Sequence, residues 1–363
     1  MDTSFSPIEN YPFLSQFLLP EDYENHQEHS DELLTQLDEV WQRNKIQSKQ
    51  THEYLAAREN VFAEVILQYY HEHYRNLVEE SLHTKNSFEI LFKNTRLLDS
   101  IIQSAFEYAF SDLSILKKKI NEDLKKEYQF SKKSLQGKNK KLSHTREEIN
   151  KLESNTDDPD QRQLYKYYNS IKVELSNEID QQNERLLKLE EQLPLIPKSE
   201  LKREFLLNNF VIFARGGYGR AELSFASDKD LGYCLDTQQL NAAEAEICRQ
   251  FIIHIEHLLR KAGIVTAHQY FEINEDLSRF KEPSTIHTIP SILESRVLLG
   301  SINLANALKR KFFQILPYEA FVLSQIQAYE QREIPELNQM NIKEDKGGLR
   351  SLQIPLWLAA ATF

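Results

Sequence analysis

The chain runs to 363 residues, 40% hydrophobic and 27% charged, with a formal net charge of −11 at pH 7. That length supports two or three domains with their own cores, and nine glycines and eleven prolines are too few for a repetitive or disordered chain. The negative balance excludes indiscriminate attraction to nucleic acid or to an anionic membrane through the molecule as a whole. Two cysteines, Cys234 and Cys248, cannot build a disulfide framework or a zinc cluster, and they point to a reducing compartment. Residues 1–20 carry Asp2, Glu9 and three prolines where a leader would be basic and then apolar. No run approaches ~18 apolar residues. A cytoplasmic protein without a membrane partner is expected.

The first half reads as helix. From Tyr54 to Leu82 and from Phe88 to Leu116 apolar residues recur at three- and four-residue spacing, with Leu97, Leu98, Ile101, Ile102, Ala105 and Phe106 forming a broad stripe that predicts packing on other helices. Beyond Leu113 the pattern thins to one seam of Leu124, Tyr128, Leu135, Leu142 and Ile149. Between Leu116 and Leu152 twelve Lys and Arg stand against five acids. After a turn-like segment ending at Pro159, a second run with Leu164, Tyr168, Ile171, Leu175, Ile179, Leu186, Leu189 and Leu193 is acidic, with nine acids and five bases from Asp157 to Glu191. Opposite charge across a short turn predicts an antiparallel helical hairpin, coiled-coil-like in its seam, that ends at Pro194 and Pro197. The basic run could serve nucleic acid or an acidic protein. A charged face paired with its acidic neighbour is the plainer reading, so nucleic acid is not an expected partner.

From Phe210 the pattern changes to strands alternating with helices. Phe210-Val-Ile-Phe-Ala214 has the length and side chains of a buried strand, and it runs into Gly216-Gly-Tyr-Gly-Arg-Ala-Glu-Leu223 and then Ser227-Asp-Lys-Asp-Leu231. Glycines let backbone N–H groups approach an anion, so the turn reads as a phosphate cradle. On a strand Asp228 and Asp230 share a face, and two carboxylates beside bound phosphates make a hard-cation site. Downstream, Asp236 or Thr237 is expected to cap a helix running to about Ala262, with Gly263 closing it. Ile264–Ile273 alternates as a strand with Val265, Ala267, Gln269 and Phe271 on one face and Thr266, His268, Tyr270 and Glu272 on the other. From Ile289 onward the chain reads as helix to its apolar end at Trp357–Phe363, which predicts the start of a longer helical domain.

A glycine turn, a helix start and a strand with Asp-x-Asp resemble the core of the DNA polymerase beta nucleotidyltransferase superfamily. The fuller pair of blocks, 216–223 and 227–231, resembles the N-terminal catalytic region of bacterial protein-PII uridylyltransferases and related nucleotidyltransferases. A second block, Asn341-Ile-Lys-Glu-Asp-Lys-Gly-Gly-Leu-Arg-Ser-Leu-Gln353 with Leu356-Trp357, is similar to the segment that follows the catalytic domain in that family. Weaker similarity is expected over most of the chain outside the hairpin. Pattern and resemblance together predict an α+β fold, mostly helical, with a small mixed sheet between a helical N-terminal region (1–112, then the inserted hairpin at 113–197) and a C-terminal helical segment (301–363), the nucleotidyltransferase domain occupying 198–300. The resemblance also implies Mg²⁺ or Mn²⁺ held by Asp228 and Asp230, a nucleoside triphosphate substrate, and a hydroxyl acceptor on a partner protein. Gly216, Gly217, Arg220 and Ser227 become candidate nucleotide contacts, and a third catalytic carboxylate is expected on a later strand, with Glu272 as the candidate. Glu222, His268, Lys343 and Arg350 are candidate accessory residues, and Arg220 has a structural alternative in a pair with Glu222. Lys229, Phe225 and Asp345-Lys346 depart from the family pattern, so the alternative is a catalytically weak or inactive module that binds a partner.

Overall fold

The computed structural model describes residues 27–43, 51–153, 159–199, 201–281, 288–332, 345, 346 and 348–362. The apolar stripes of the first half become three packed helices, α1 (Gln27–Arg43), α2 (Thr51–His83) and α3 (Ser87–Ser111). Leu33, Leu37, Phe62, Ile66, Ile101, Ile102 and Phe106 are fully buried among them. The stripe of α3 does not stop at its neighbours. The ring of Phe106 stacks 6.1 Å from Phe210 and meets Phe251 edge-on at 5.3 Å, so the N-terminal helices and the sheet region share one hydrophobic core. Aromatic pairs of this geometry add about 0.5–1.5 kcal/mol to what burial contributes.

Helices α4 (Leu113–Glu153) and α5 (Pro159–Gln192) form the predicted hairpin. Leu142, Ile149, Ile179 and Leu189 are buried along its seam, whereas Leu164 is 47% exposed. Charge pairing across the seam runs in both directions. Lys138 Nζ lies 2.9 Å from Glu178 Oε2 as the basic-to-acidic reading expects, and Arg185 Nη2 of the acidic helix lies 2.7 Å from Glu127 Oε1 of the basic one. Tyr128 Oη donates to Glu190 Oε1 at 2.7 Å. Gly137 has open space where a Cβ would sit.

After the short helix α6 (Arg203–Asn209) come β1 (Phe210–Ala214), the one-turn helix α7 (Gly216–Gly219), β2 (Lys229–Leu235), α8 (Ala242–Lys261) and β3 (Thr266–Glu272). Then follow α9 (Ile289–Leu293), β4 (Arg296–Gly300), α10 (Ile302–Ile315), α11 (Tyr318–Glu330) and α12 (Leu349–Thr362). The sheet order is β3-β2-β1-β4, with β1 antiparallel to both neighbours and β2 parallel to β3. The parallel pair requires a crossover, which α8 supplies. Every residue of β1 is buried because the strand is covered on both faces. Ile212 and Ala214 join the helical core, and Val211 and Phe213 pack with Phe271, Phe280 and Phe312.

Two local expectations are corrected. Helix α8 begins at Ala242, where Asn241 and Glu244 make a reciprocal capping box, and Asp236 instead accepts from Gln238 N in a turn. The segment after Ile289 is not continuous helix, since β4 interrupts it. At the end of β4 Gly300 has φ +95°, and a Cβ there would come 2.1 Å from Phe210 O, so the edge strand closes against β1 only through a glycine. Among the described residues no helix is long and apolar enough to cross a membrane.

Candidate active site

The glycine turn leaves β1 while still tied to β2, because Arg215 N donates to Asp230 O at 2.9 Å. Gly216 then takes φ +55°, a left-handed value that glycine adopts without strain. A Cβ at that position would stand 3.5 Å from Asp230 Oδ2, so the turn and the carboxylate are immediate neighbours. Gly217 has more room, its nearest contact being Arg220 Nη2 at 3.6 Å. Gly219 is the tightest of the three. A Cβ there would meet Glu294 O at 2.2 Å, which puts the α9 end of the chain directly behind the turn.

Asp230 lies on β2 with 36% of its side chain exposed. Asp228 is exposed and falls one residue ahead of the strand, which starts at Lys229 and not at Ser227. Ser227 closes a local turn, its Oγ accepting from Ser224 N at 3.2 Å and lying 2.7 Å from Ser224 Oγ.

The register of β2 on β3 decides where the third candidate falls. Asp230 pairs with Ala267 and Leu235 with Glu272, so Glu272 sits on the opposite face of the sheet from Asp230 and at the far end of the strand. There it accepts from Arg249 Nε at 2.9 Å and from Tyr270 Oη at 3.0 Å. His268 shares that face, its Nδ1 lying 3.2 Å from Glu256 Oε2. His268 lines a cleft of about 400 Å³ with Tyr233, Arg249, Arg260 and Tyr270, on the side of the sheet that α8 covers, and Glu272 reaches that lining through Arg249 and Tyr270. The structure therefore brings Gly216 and Asp230 together, sets the exposed Asp228 one residue ahead of the strand, and leaves Glu272 and His268 across the sheet.

On the Asp230 face two residues were not singled out from the sequence. Arg215 is only 8% exposed, and its guanidinium donates to Leu231 O at 3.1 Å and to Gln269 Oε1 at 2.8 Å, with Nη2 3.9 Å from Asp230 Oδ1. Burial pulls its pKa down, against the pull of Asp230. Alternation along β1 would have placed Arg215 on this face. What the sequence could not supply was the register that sets it beside Gln269.

Arg220 pairs with two glutamates. Nε reaches Glu222 Oε2 at 2.7 Å and Nη1 reaches Glu294 Oε2 at 2.5 Å, which makes it a lock on the turn. Burial raises the pKa of Glu294 and the Arg220 charge opposes that rise. The other oxygen of Glu294 accepts from Trp357 Nε1 on α12. The glycine block and the second block, distant in sequence, thus meet at one carboxylate. Arg350 lies on the same helix, with its guanidinium 5.4 Å from the Trp357 ring centroid and 3.3 Å from Gln353 Oε1. Lys343 lies outside the described residues.

Helix α3 clamps the block from behind. Tyr218 Oη donates to Asp99 Oδ1 at 2.7 Å, Arg296 makes a forked pair with the same carboxylate at 2.8 and 3.2 Å, and Asn94 Nδ2 donates to Leu223 O at 2.8 Å. Among the described residues no group of three or more His, Cys, Asp and Glu could hold a metal ion. The two aspartates fit a cation that takes one or two protein carboxylates and completes its shell with water and phosphate oxygens.

An α+β chain whose small mixed sheet carries a glycine turn beside an Asp-x-Asp pair resembles, in its class, the polymerase-beta-like nucleotidyltransferases. Named relatives make the likeness particular. The bifunctional uridylyltransferase/uridylyl-removing enzyme of Zymomonas mobilis subsp. mobilis is 29% identical over 160 residues, 42% of this chain and 16% of that protein. The enzymes of the same name from Azospirillum brasilense and Caulobacter vibrioides are 31% identical over 158 residues and 33% over 156, in each case 41% of this chain and 16% of the relative. The similarity covers less of the chain than expected, and the chain spans about a sixth of the length of the curated relatives it matches. No protein-family model matches it.

Proposed function

We propose that the chain is a nucleotidyltransferase that moves a nucleoside monophosphate from a triphosphate to a hydroxyl on a partner protein, with Mg²⁺ or Mn²⁺, in the manner of a uridylyltransferase. The observation that carries this reading is the contact of the Gly216 turn with the Asp230 carboxylate. It sets backbone N–H groups free of a Cβ beside oxygens that suit a hard cation. Asp228 and Asp230 would hold the cation, which when bound supplies charge neutralisation for the departing pyrophosphate and alignment of the in-line displacement. Gly216 and Gly217 would offer main-chain donors to the triphosphate, and Ser227 its hydroxyl. Arg220 and Glu222 keep the turn closed, and Arg350 steadies Trp357 on the second block.

Calorimetric titration with each of the four nucleoside triphosphates, with and without Mg²⁺, tests the reading. Metal-dependent binding is expected, with UTP as the first candidate because the relatives are uridylyltransferases. Label transfer to an acceptor should fall roughly a hundredfold or more in Asp228→Asn plus Asp230→Asn, since charge stabilisation worth several kcal/mol is removed. Binding without transfer would favour the second reading, a catalytically weak module. The buried Arg215 charge near Asp230 supports that alternative.

A further inference from the structure

We infer that Arg215 and Gln269 confine this site to a single cation that arrives with the nucleotide; the inference rests on the nucleotidyltransferase reading above. The position on β3 that could add a carboxylate to the Asp228 and Asp230 face is set by register. Ala267 stands opposite Asp230, and the next residue on that face is Gln269, opposite Gly232. Neither carries charge. The amide oxygen of Gln269 already accepts from Arg215 Nη1 at 2.8 Å, so it is turned toward the guanidinium and away from a ligand role. The ground beside Gly232 is also filled, since the Phe213 ring lies 2.1 Å from where a Gly232 Cβ would stand.

Arg215 itself is fixed. Its donors reach Leu231 O, Gln269 Oε1 and Ser291 Oγ, and Ala267 O lies 3.5 Å away, so the guanidinium bridges from β1 across β2 to β3. A guanidinium keeps its proton in proteins. A permanent positive charge therefore sits 3.9 Å from one oxygen of Asp230 and offsets part of the attraction that two aspartates exert on a dication. With two candidate carboxylates among the described residues, one of them exposed, and a cation already built in, free metal finds too little negative charge. The phosphate oxygens must supply the remainder, which is how Mg²⁺ is held when a protein offers few ligands. Arg215 is thus a positioning residue, its main-chain N–H donating to Asp230 O and its guanidinium standing beside the carboxylate.

The test is Mn²⁺ binding to the full chain, read from the spectrum of the free aquo ion, with Mn²⁺ alone and with Mn²⁺ plus α,β-methylene-UTP. One Mn²⁺ per chain is expected with the analogue, and binding of Mn²⁺ alone should be about tenfold or more weaker. Two Mn²⁺ per chain with the analogue, or equally tight binding of Mn²⁺ alone, overturns the inference while leaving the nucleotidyltransferase reading intact. Failure of the analogue to bind at any Mn²⁺ concentration sinks both. Arg215→Gln should tighten binding of Mn²⁺ alone by about tenfold, a gain that a merely structural role would not produce. Should that variant not fold, Gln269→Glu carries the same test at nearly constant volume; unchanged affinity for Mn²⁺ alone would overturn the assignment.

Discussion

At the level of single residues the glycines of the turn are not equivalent. Gly219 is pressed against the carbonyl of Glu294, so Gly219→Ala must push backbone aside and should cost about 2–4 kcal/mol in urea denaturation. Gly216 has ordinary room but a left-handed φ, so Gly216→Ala should cost about 1 kcal/mol while placing a methyl beside Asp230 and weakening nucleotide binding more than stability. The two thiols behave alike for another reason. Burial pushes the pKa of Cys234 and of Cys248 up to about 12 from a usual 9.0. Both should resist a thiol-directed reagent at pH 8 in the folded protein. Because the folded pKa lies above the unfolded one, folding is favoured fully below pH 9.0 and that contribution is lost as pH climbs toward about 12. Denaturation midpoints should fall from pH 8.5 to about pH 10.5, and a Cys234→Ala, Cys248→Ala double variant should fall less steeply with pH.

Among the elements, the strand and helix periods were legible where one face is buried. The alternation of β3 was readable as two faces, but which face belongs with Asp230 depends on the pairing of Asp230 with Ala267, a contact between residues far apart in the chain. That is why Glu272 looked eligible and Gln269 did not. β4 escaped notice because Arg296-Val-Leu-Leu-Gly300 is a short, half-buried edge strand set between two helices. The hairpin was readable because its seam and turn are local. It is also separable. Ser131 O accepts from Gln182 Nε2 at 3.4 Å, so the two arms are neighbours there and the distal part can be cut away between them. Replacing residues 132–181 with a short turn should leave the melting temperature of the body within a few degrees. A large fall would show that the distal arms support the core.

For the whole molecule, the boundary at residue 112 marks a change of element and not a break in packing. Asp99 belongs to the helical region and holds Tyr218 and Arg296 of the sheet region from one buried carboxylate. Asp99→Asn breaks a buried ion pair and should cost about 3–5 kcal/mol in denaturation, with the segment 216–223 becoming the first site of proteolysis. No periodicity announced this contact, since a lone Asp within an apolar stripe is indistinguishable from a solvated one until the partner strand is in place.

Glu294 has a consequence of the same reach. One carboxylate receives Arg220 from the turn and the indole of Trp357 from α12. If an anion draws Arg220 forward, Glu294 keeps only partners on α12, the Trp357 indole and the Arg350 charge, so occupancy of the turn and the seating of α12 are thermodynamically linked with equal strength in both directions. The chain has two tryptophans, and Trp41 lies in α1 against Tyr54. Trp357 is thereby a built-in optical gauge. Its emission should shift on adding metal–nucleotide, and the shift should vanish in Arg220→Lys while Trp41 stays silent.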